Sequence, residues 1–148
     1  MHEENLLATP IVKEIRLAAT PHEVWLALTD KEEMRKWYFD LQDFRPEPGF
    51  HFTFYGEKDG EKFLHHCTVT EVAPDKKIAY TWKYEQWPGE SLVSFTLAED
   101  GDYTLLRLTH SGLESFPQNE MLKKSNFEEG WTAIIDGSLA RHFEKKKK

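Results

Sequence analysis

The sequence predicts an α+β domain in which one antiparallel sheet, apolar on a single face, packs against a long C-terminal helix. Three observations carry this. Apolar residues recur at period two in five segments between Phe50 and His110, with turn residues between them. Two short helical patterns with strong start signals precede those segments. A helical period returns from about Asn126. The 148 residues are 39% hydrophobic and 14% aromatic, too apolar and ring-rich for a disordered chain. At this size roughly 70% of the extended chain's surface is buried on folding, enough for one core without staples.

Ile11 to Leu17 reads as a strand, rich in β-branched residues. Thr20-Pro21-His22-Glu23 is then a helix start: Thr20 caps, Pro21 fits the first position, and Glu23 reaches back. Val24, Trp25 and Leu28 give that helix its apolar face. Asp30-Lys31-Glu32-Glu33 repeats the pattern, with Met34, Trp37 and Tyr38 on the buried side of a second short helix. Asp40 to Arg45 is expected as a strand, ended by Pro46-Glu47-Pro48-Gly49. Counting it, about six strands follow the two helices.

The five alternating segments are separated by Asp59-Gly60, Pro74-Asp75-Lys76, Pro88-Gly89 and Asp100-Gly101. Centring each hairpin on its turn sets Phe52 opposite Cys67 and Phe54 opposite His65. It also sets Val69 opposite Trp82, Cys67 opposite Tyr84, Trp82 opposite Phe95, and Phe95 opposite Leu106. Every hairpin then keeps its bulky residues on one side, from Phe50, Phe52 and Phe54 through Tyr80, Trp82 and Tyr84 to Leu106, Leu108 and His110. Histidine, threonine, lysine and glutamate fall on the other. A slip of one residue would turn a strand's large residues into water, so the registers support one another.

Ser111 to Phe116 is a connector punctuated by Pro117. The last helix is expected from about Asn126, with Asn126 and Glu129 as a capping pair. On an α-helical wheel Phe127, Trp131, Ile134, Ile135 and His142 share one arc, with Arg141 near its centre. Gly130, Ala133, Gly137 and Ala140 form an adjoining stripe of small residues. Leu139 and Phe143 fall outside both. The stripe has two readings, close approach of helix to sheet or room for a ligand. The core is expected over about 11–143, with 1–10 and 144–148 as flexible ends of one domain.

Lys plus Arg is 19 against 26 Asp plus Glu, a net charge of −7. An acidic domain repels phosphate backbones, which disfavours nucleic acid as a partner. One cysteine excludes a disulfide framework and any multi-thiolate metal cluster. The opening Met1-His2-Glu3-Glu4-Asn5 lacks the basic region of a signal peptide, and no apolar run could span a bilayer, so a cytoplasmic location is expected.

Ala19-Thr20-Pro21-His22-Glu23-Val24-Trp25-Leu26-Ala27-Leu28-Thr29 resembles the opening turn and helix of the START-like, birch-pollen-allergen superfamily, often called SRPBCC. Val69-Thr70-Glu71-Val72-Ala73-Pro74 followed by Ala79-Tyr80-Thr81-Trp82 is similar to its central hairpin. Leu108-Thr109-His110-Ser111-Gly112-Leu113, and Gly130-Trp131 in the last helix, resemble the branch related to the C-terminal domain of activators of the ninety-kilodalton heat-shock chaperone's ATPase. The resemblance spans about 11–143. It implies the helix-grip fold, a curved sheet wrapped around the C-terminal helix with a cavity between them, and binding of small apolar or amphipathic molecules there. It also implies two other readings, a chaperone-activating interaction module and a cyclase- or hydratase-like enzyme. Co-chaperones of the family carry a further N-terminal domain for which 148 residues leave no room.

The sequence favours binding over catalysis. General acid–base chemistry needs two groups of separated pKa within reach of a substrate. The buried face offers His65, His110 and Cys67, with Glu71, set opposite Tyr80, as its one carboxylate at the rim. Zinc needs three or four converging ligands, and only His65 and Cys67 are close neighbours, so neither a metal nor a cofactor is expected. The residues expected to line a ligand cavity are Phe52, Phe54, His65, Tyr80, Trp82, Tyr84, Phe95, His110, Trp131 and Ile135. Tyrosine and tryptophan carry polar tips that need partners when buried, which suits a wet cavity or its rim. For His110 two roles stand open, a hydrogen bond to a ligand or a structural bond to a neighbouring strand or connector.

Overall fold

The structure is a computed structural model and describes residues 9–38, 41, 43–58, 60–117, 119 and 122–146. Strand β1 (Ile11–Leu17) leads into helices α1 (Pro21–Thr29) and α2 (Lys31–Trp37). Strands β2 (His51–Lys58), β3 (Glu61–Ala73), β4 (Lys77–Tyr84), β5 (Ser91–Asp100) and β6 (Tyr103–Ser111) follow. The six strands form one antiparallel sheet in the order β1-β6-β5-β4-β3-β2. The C-terminal helix has three parts: α3 (Lys124–Thr132), a π-helical stretch (Ala133–Leu139) and α4 (Ala140–Lys146). This is the α+β helix-grip architecture.

The helix starts are those the sequence signals. Thr20 Oγ1 accepts from Glu23 N at 3.1 Å and Glu23 Oε1 accepts from Thr20 N at 2.8 Å, closing a capping box. Asp30 Oδ1 accepts from Glu32 N at 3.0 Å and caps α2. Two expectations are corrected. No strand forms among the described residues of 40–45; Leu41 and Phe44 instead plug the core, Phe44 edge-on to Phe52 at 5.1 Å. The last helix begins at Lys124 behind Lys123, whose side chain makes no cap bond, so Asn126 lies inside the helix rather than at its N-cap.

Registers differ while faces do not. Phe52–Cys67 and Phe54–His65 pair as expected. Val69 pairs with Tyr80 rather than Trp82, and Tyr84 with His65 rather than Cys67. Phe95 lies between Ile78 and Leu108 rather than Trp82 and Leu106. The pairings were centred on turn residues, but Trp82 already pairs with Ser91, so Pro88-Gly89 sits in a long loop rather than at a hairpin tip. Each shift is an even number of residues, which preserves the face every side chain points to. A bulge between Val69 and Glu71 breaks the alternation once. It pairs Glu71 with Ala79 and leaves its carboxylate exposed, 3.1 Å from Lys77 Nζ, so Glu71 does not belong to the buried face.

The π-helical stretch explains Leu139 and Phe143. In an α-helix a spacing of four drifts by about 40° per step, so Phe127, Trp131, Ile135, Leu139 and Phe143 would leave one face. A π turn closes i→i+5 bonds and takes more residues, which brings the spacing of four back into phase. All five are buried. The small stripe is displaced accordingly. A Cβ on Gly137 would meet only the Arg141 guanidinium, at 3.5–4.0 Å, and Gly130 and Ala133 are exposed. Gly137 thus faces away from the sheet, and Gly137→Ala should raise stability by up to about 1 kcal/mol in urea denaturation through helix propensity. A loss would mean that this face packs on the sheet.

Candidate functional site

The helix is tied to the sheet by one buried hydrogen-bond chain. Trp131 Nε1–H, a donor only, donates to His110 Nδ1 at 2.9 Å. That leaves the proton of a neutral imidazole on Nε2, which donates to Ser91 Oγ at 2.7 Å. The Ser91 hydroxyl in turn donates to the Trp82 carbonyl at 3.2 Å. His110 is fully buried, and burial lowers its pKa to about 3. Of its two roles, the structure shows the structural one: both ring nitrogens are used within the chain.

On the β2–β4 side of Trp131, helix and sheet separate around a cavity of about 300 Å³. Phe63, His65, Trp82 and Tyr84 line it from β3 and β4, Trp87 from the β4–β5 loop, and Leu122, Phe127, Gly130, Trp131 and Ile134 from the helix side. Gly56, Glu57 and Asn126 complete the rim. An added Cβ on Gly130 meets nothing within 4 Å, so the helix is bare where it passes the cavity. At Gly56 a Cβ would lie 2.8 Å from His65 Cε1; only glycine lets the imidazole lie over this edge strand.

His65 sits flat on Phe54, ring centroids 4.5 Å apart, and edge-on to Trp82 at 4.9 Å. Its Nδ1–H donates to the Phe63 carbonyl at 2.9 Å. Burial lowers its pKa to about 4, against a smaller upward pull from that carbonyl, so the ring is neutral at pH 7. Burial pushes up the Tyr84 phenol, and the Trp82 indole N–H, 3.1 Å from the Tyr84 hydroxyl oxygen, offsets this only in part. The Cys67 thiol, with no exposed surface, is likewise held protonated by burial. Among the described residues no group of three His, Cys, Asp or Glu is disposed to hold a metal ion.

Of the ten residues expected to line a cavity, His65, Trp82, Tyr84 and Trp131 do so. Phe54 stands directly behind His65. Phe52, Tyr80 and Phe95 pack under α2, where the Tyr80 and Tyr38 hydroxyls meet at 2.6 Å, and Phe95 lies 6.2 Å from Trp131. Ile135 is buried in the core beyond the cavity, and His110 is enclosed by its hydrogen bonds. Arg141 is exposed. The sequence reading missed Trp87, which lies outside the strand alternation, 5.3 Å from Phe63 and 5.7 Å from Tyr84. It also missed Gly56, whose signal was a lone glycine at an inward strand position.

With this geometry in hand, similarity to known proteins decides the family. A family model described as "Activator of Hsp90 ATPase homolog 1-like protein" matches residues 18–144. The chain belongs to this family. No curated protein matches it. Among solved structures it is similar to CalU16 from Micromonospora echinospora, at 27% identity and a TM-score of 0.68, over 93% of this chain and 78% of that one. A protein from Mesorhizobium loti is 26% identical, with a TM-score of 0.75 over 92% and 97% of the two chains. One from Chromobacterium violaceum, at 21% identity and a TM-score of 0.78 over the same shares, shows the shared fold alone. In this member of the Hsp90-activator-like family no helix among the described residues is long and apolar enough to cross a membrane.

Burying two neutral histidines makes stability depend on pH. An unfolded histidine takes up its proton near 6.5, whereas folded His65 and His110 do so only near 4 and 3. Below 6.5 the unfolded chain therefore binds more protons, and stability falls with pH by about 1.4 kcal/mol per unit for each histidine. Urea denaturation between pH 7 and 5 should show this decline. His110→Phe should halve the slope and cost about 1–3 kcal/mol at pH 7, because the Trp131 indole N–H loses its acceptor. A flat profile would contradict neutral burial.

Proposed function

We propose that the protein binds a small, largely apolar molecule in the cavity between β3, β4 and the C-terminal helix, without catalysing a reaction on it. The observation that carries this reading is an aromatic-walled space of about 300 Å³ beside a bare glycine on the helix, within the usual size range of ligand sites. Family membership supports it, since the fold is of the ligand-binding type. The chemistry of the wall agrees. His65 has too low a pKa for a strong base, and Tyr84 and the neighbouring Cys67 are held protonated, so none of these three is set up as a base or nucleophile. A protein-interaction role of the chaperone-activating kind remains the rival that the family description names.

The test is thermal unfolding against a panel of fatty acids, flavonoids and aromatic acids. At one hundred times its Kd a true ligand stabilises by about 2.7 kcal/mol, a rise of about 5–10 °C for a chain of this size. Gly130→Leu, which fills the cavity from the helix, should abolish that rise while leaving the free protein as stable as before or up to about 1 kcal/mol more so. No shift from any compound, together with capture of the chaperone by the purified protein, would replace this reading with its rival.

A further inference from the structure

The cavity wall holds one hydroxyl among the described residues, that of Tyr84, and its hydrogen finds no acceptor there. The Tyr84 ring is packed among Trp87, Phe116, Phe127 and His65, at centroid separations of 4.6–6.4 Å. Its hydroxyl meets the Trp82 indole nitrogen at 3.1 Å, and since indole N–H only donates, the tyrosine oxygen is the acceptor there. A hydroxyl has one hydrogen to give as well as lone pairs to receive. Among the described residues the Tyr84 O–H finds no acceptor, whereas the two other tyrosines of this core, Tyr38 and Tyr80, spend a hydroxyl on each other. The hydroxyl is part-buried in a mostly apolar wall, so a ligand that covers it must supply an acceptor or leave a buried donor unpaired at a cost.

The charge pattern narrows the ligand further. No lysine or arginine lines the cavity among the described residues. Glu57, at its rim, occupies an outer-face position of β2 opposite Lys62, on the side away from Gly56 and His65. A carboxylate or phosphate would be stripped of water here with no cation to meet it. The Tyr84 phenol stays protonated across the physiological range, so its role as donor does not change with pH.

We propose that Tyr84 is a specificity-determining residue of the cavity, and that its hydroxyl donates to an uncharged acceptor oxygen, of the ketone or ester kind, on a flat aromatic ligand. This rests on the reading of the cavity as a ligand site. The experiment measures binding of 2-acetylnaphthalene and 2-isopropylnaphthalene, near-isosteres that differ in one carbonyl, by intrinsic tryptophan fluorescence. The unaltered protein should prefer the ketone about tenfold. Tyr84→Phe should remove the preference by weakening the ketone alone, and Tyr55→Phe, at an exposed outer-face position of β2 away from the cavity, should retain it. Equal affinities in the unaltered protein, or a preference that survives in Tyr84→Phe, would overturn the role of Tyr84 and leave the cavity reading standing. Failure of both compounds to bind would overturn this proposal, while the cavity reading itself is decided by the wider ligand panel above. Because the preference is read first on the unaltered chain, poor folding of either variant does not remove the test.

Discussion

A neutral histidine buried between a helix and a sheet is the constraint on which the rest of this structure depends. His110 can accept from Trp131 only through an unprotonated Nδ1, and it then has one hydrogen left, which goes to Ser91. Ser91 passes its own to the carbonyl of Trp82. The chain of donors runs one way with every partner used, and no buried side-chain nitrogen or oxygen among the described residues lacks a partner. Such a network is favourable only when complete, because the low dielectric that strengthens each bond also raises the cost of breaking one. It pins Trp131 over β4–β6 and so sets where the helix touches the sheet and where it stands off.

The helix behaves differently on the two sides of that pin. Towards its C-terminus the π-helical stretch keeps Ile135, Leu139 and Phe143 on the buried face, and His142 reaches Glu33 of α2 at 2.8 Å. That end is held to the core by these buried side chains and to α2 by the His142–Glu33 contact. Towards its N-terminus the helix offers Gly130, whose side offers no atoms to the space between it and β3. On the sheet, Gly56 lets His65 lie flat rather than stand into that space. The cavity is thus bounded by two absent side chains and roofed by Trp87, on a loop held to the connector by Ser115, which accepts from Glu90 N at 2.9 Å and donates to Glu90 O at 2.8 Å. Its walls are aromatic and neutral, a surface for recognising shape with Tyr84 as a polar point.

Much of the fold was legible because strand faces depend only on parity. Registers centred on the wrong residue still sorted Phe52, Trp82, Phe95 and Leu108 inward, since each error was an even number of positions. The Thr20 and Asp30 caps were legible because their chemistry is local. Non-local features were not. Nothing in the local pattern marks the bulge that removes Glu71 from the inner face, and a wheel that assumes 3.6 residues per turn cannot place Leu139 and Phe143 across a π-helical stretch. The site was half legible for the same reason. Inward aromatic residues were identified as a set, but which of them border empty space depends on where the helix lies, and that is decided by His110 and Trp131. Thus Tyr80 and Phe95 went to the core, while Trp87, in a loop with no period to read, joined the cavity.

The state of His110 is the most direct test of this account. Long-range proton–nitrogen correlation spectra at pH 7 report which imidazole nitrogen carries the hydrogen, and amide-type exchange reports the protection of the Trp131 indole N–H. The account predicts His110 neutral with its proton on Nε2, an unprotonated Nδ1, and an indole hydrogen of Trp131 that exchanges only on global unfolding. A protonated Nδ1 at pH 7, or a Trp131 indole that exchanges as fast as the exposed surface, would mean that the helix is not held here and that the cavity is not a fixed feature of the fold.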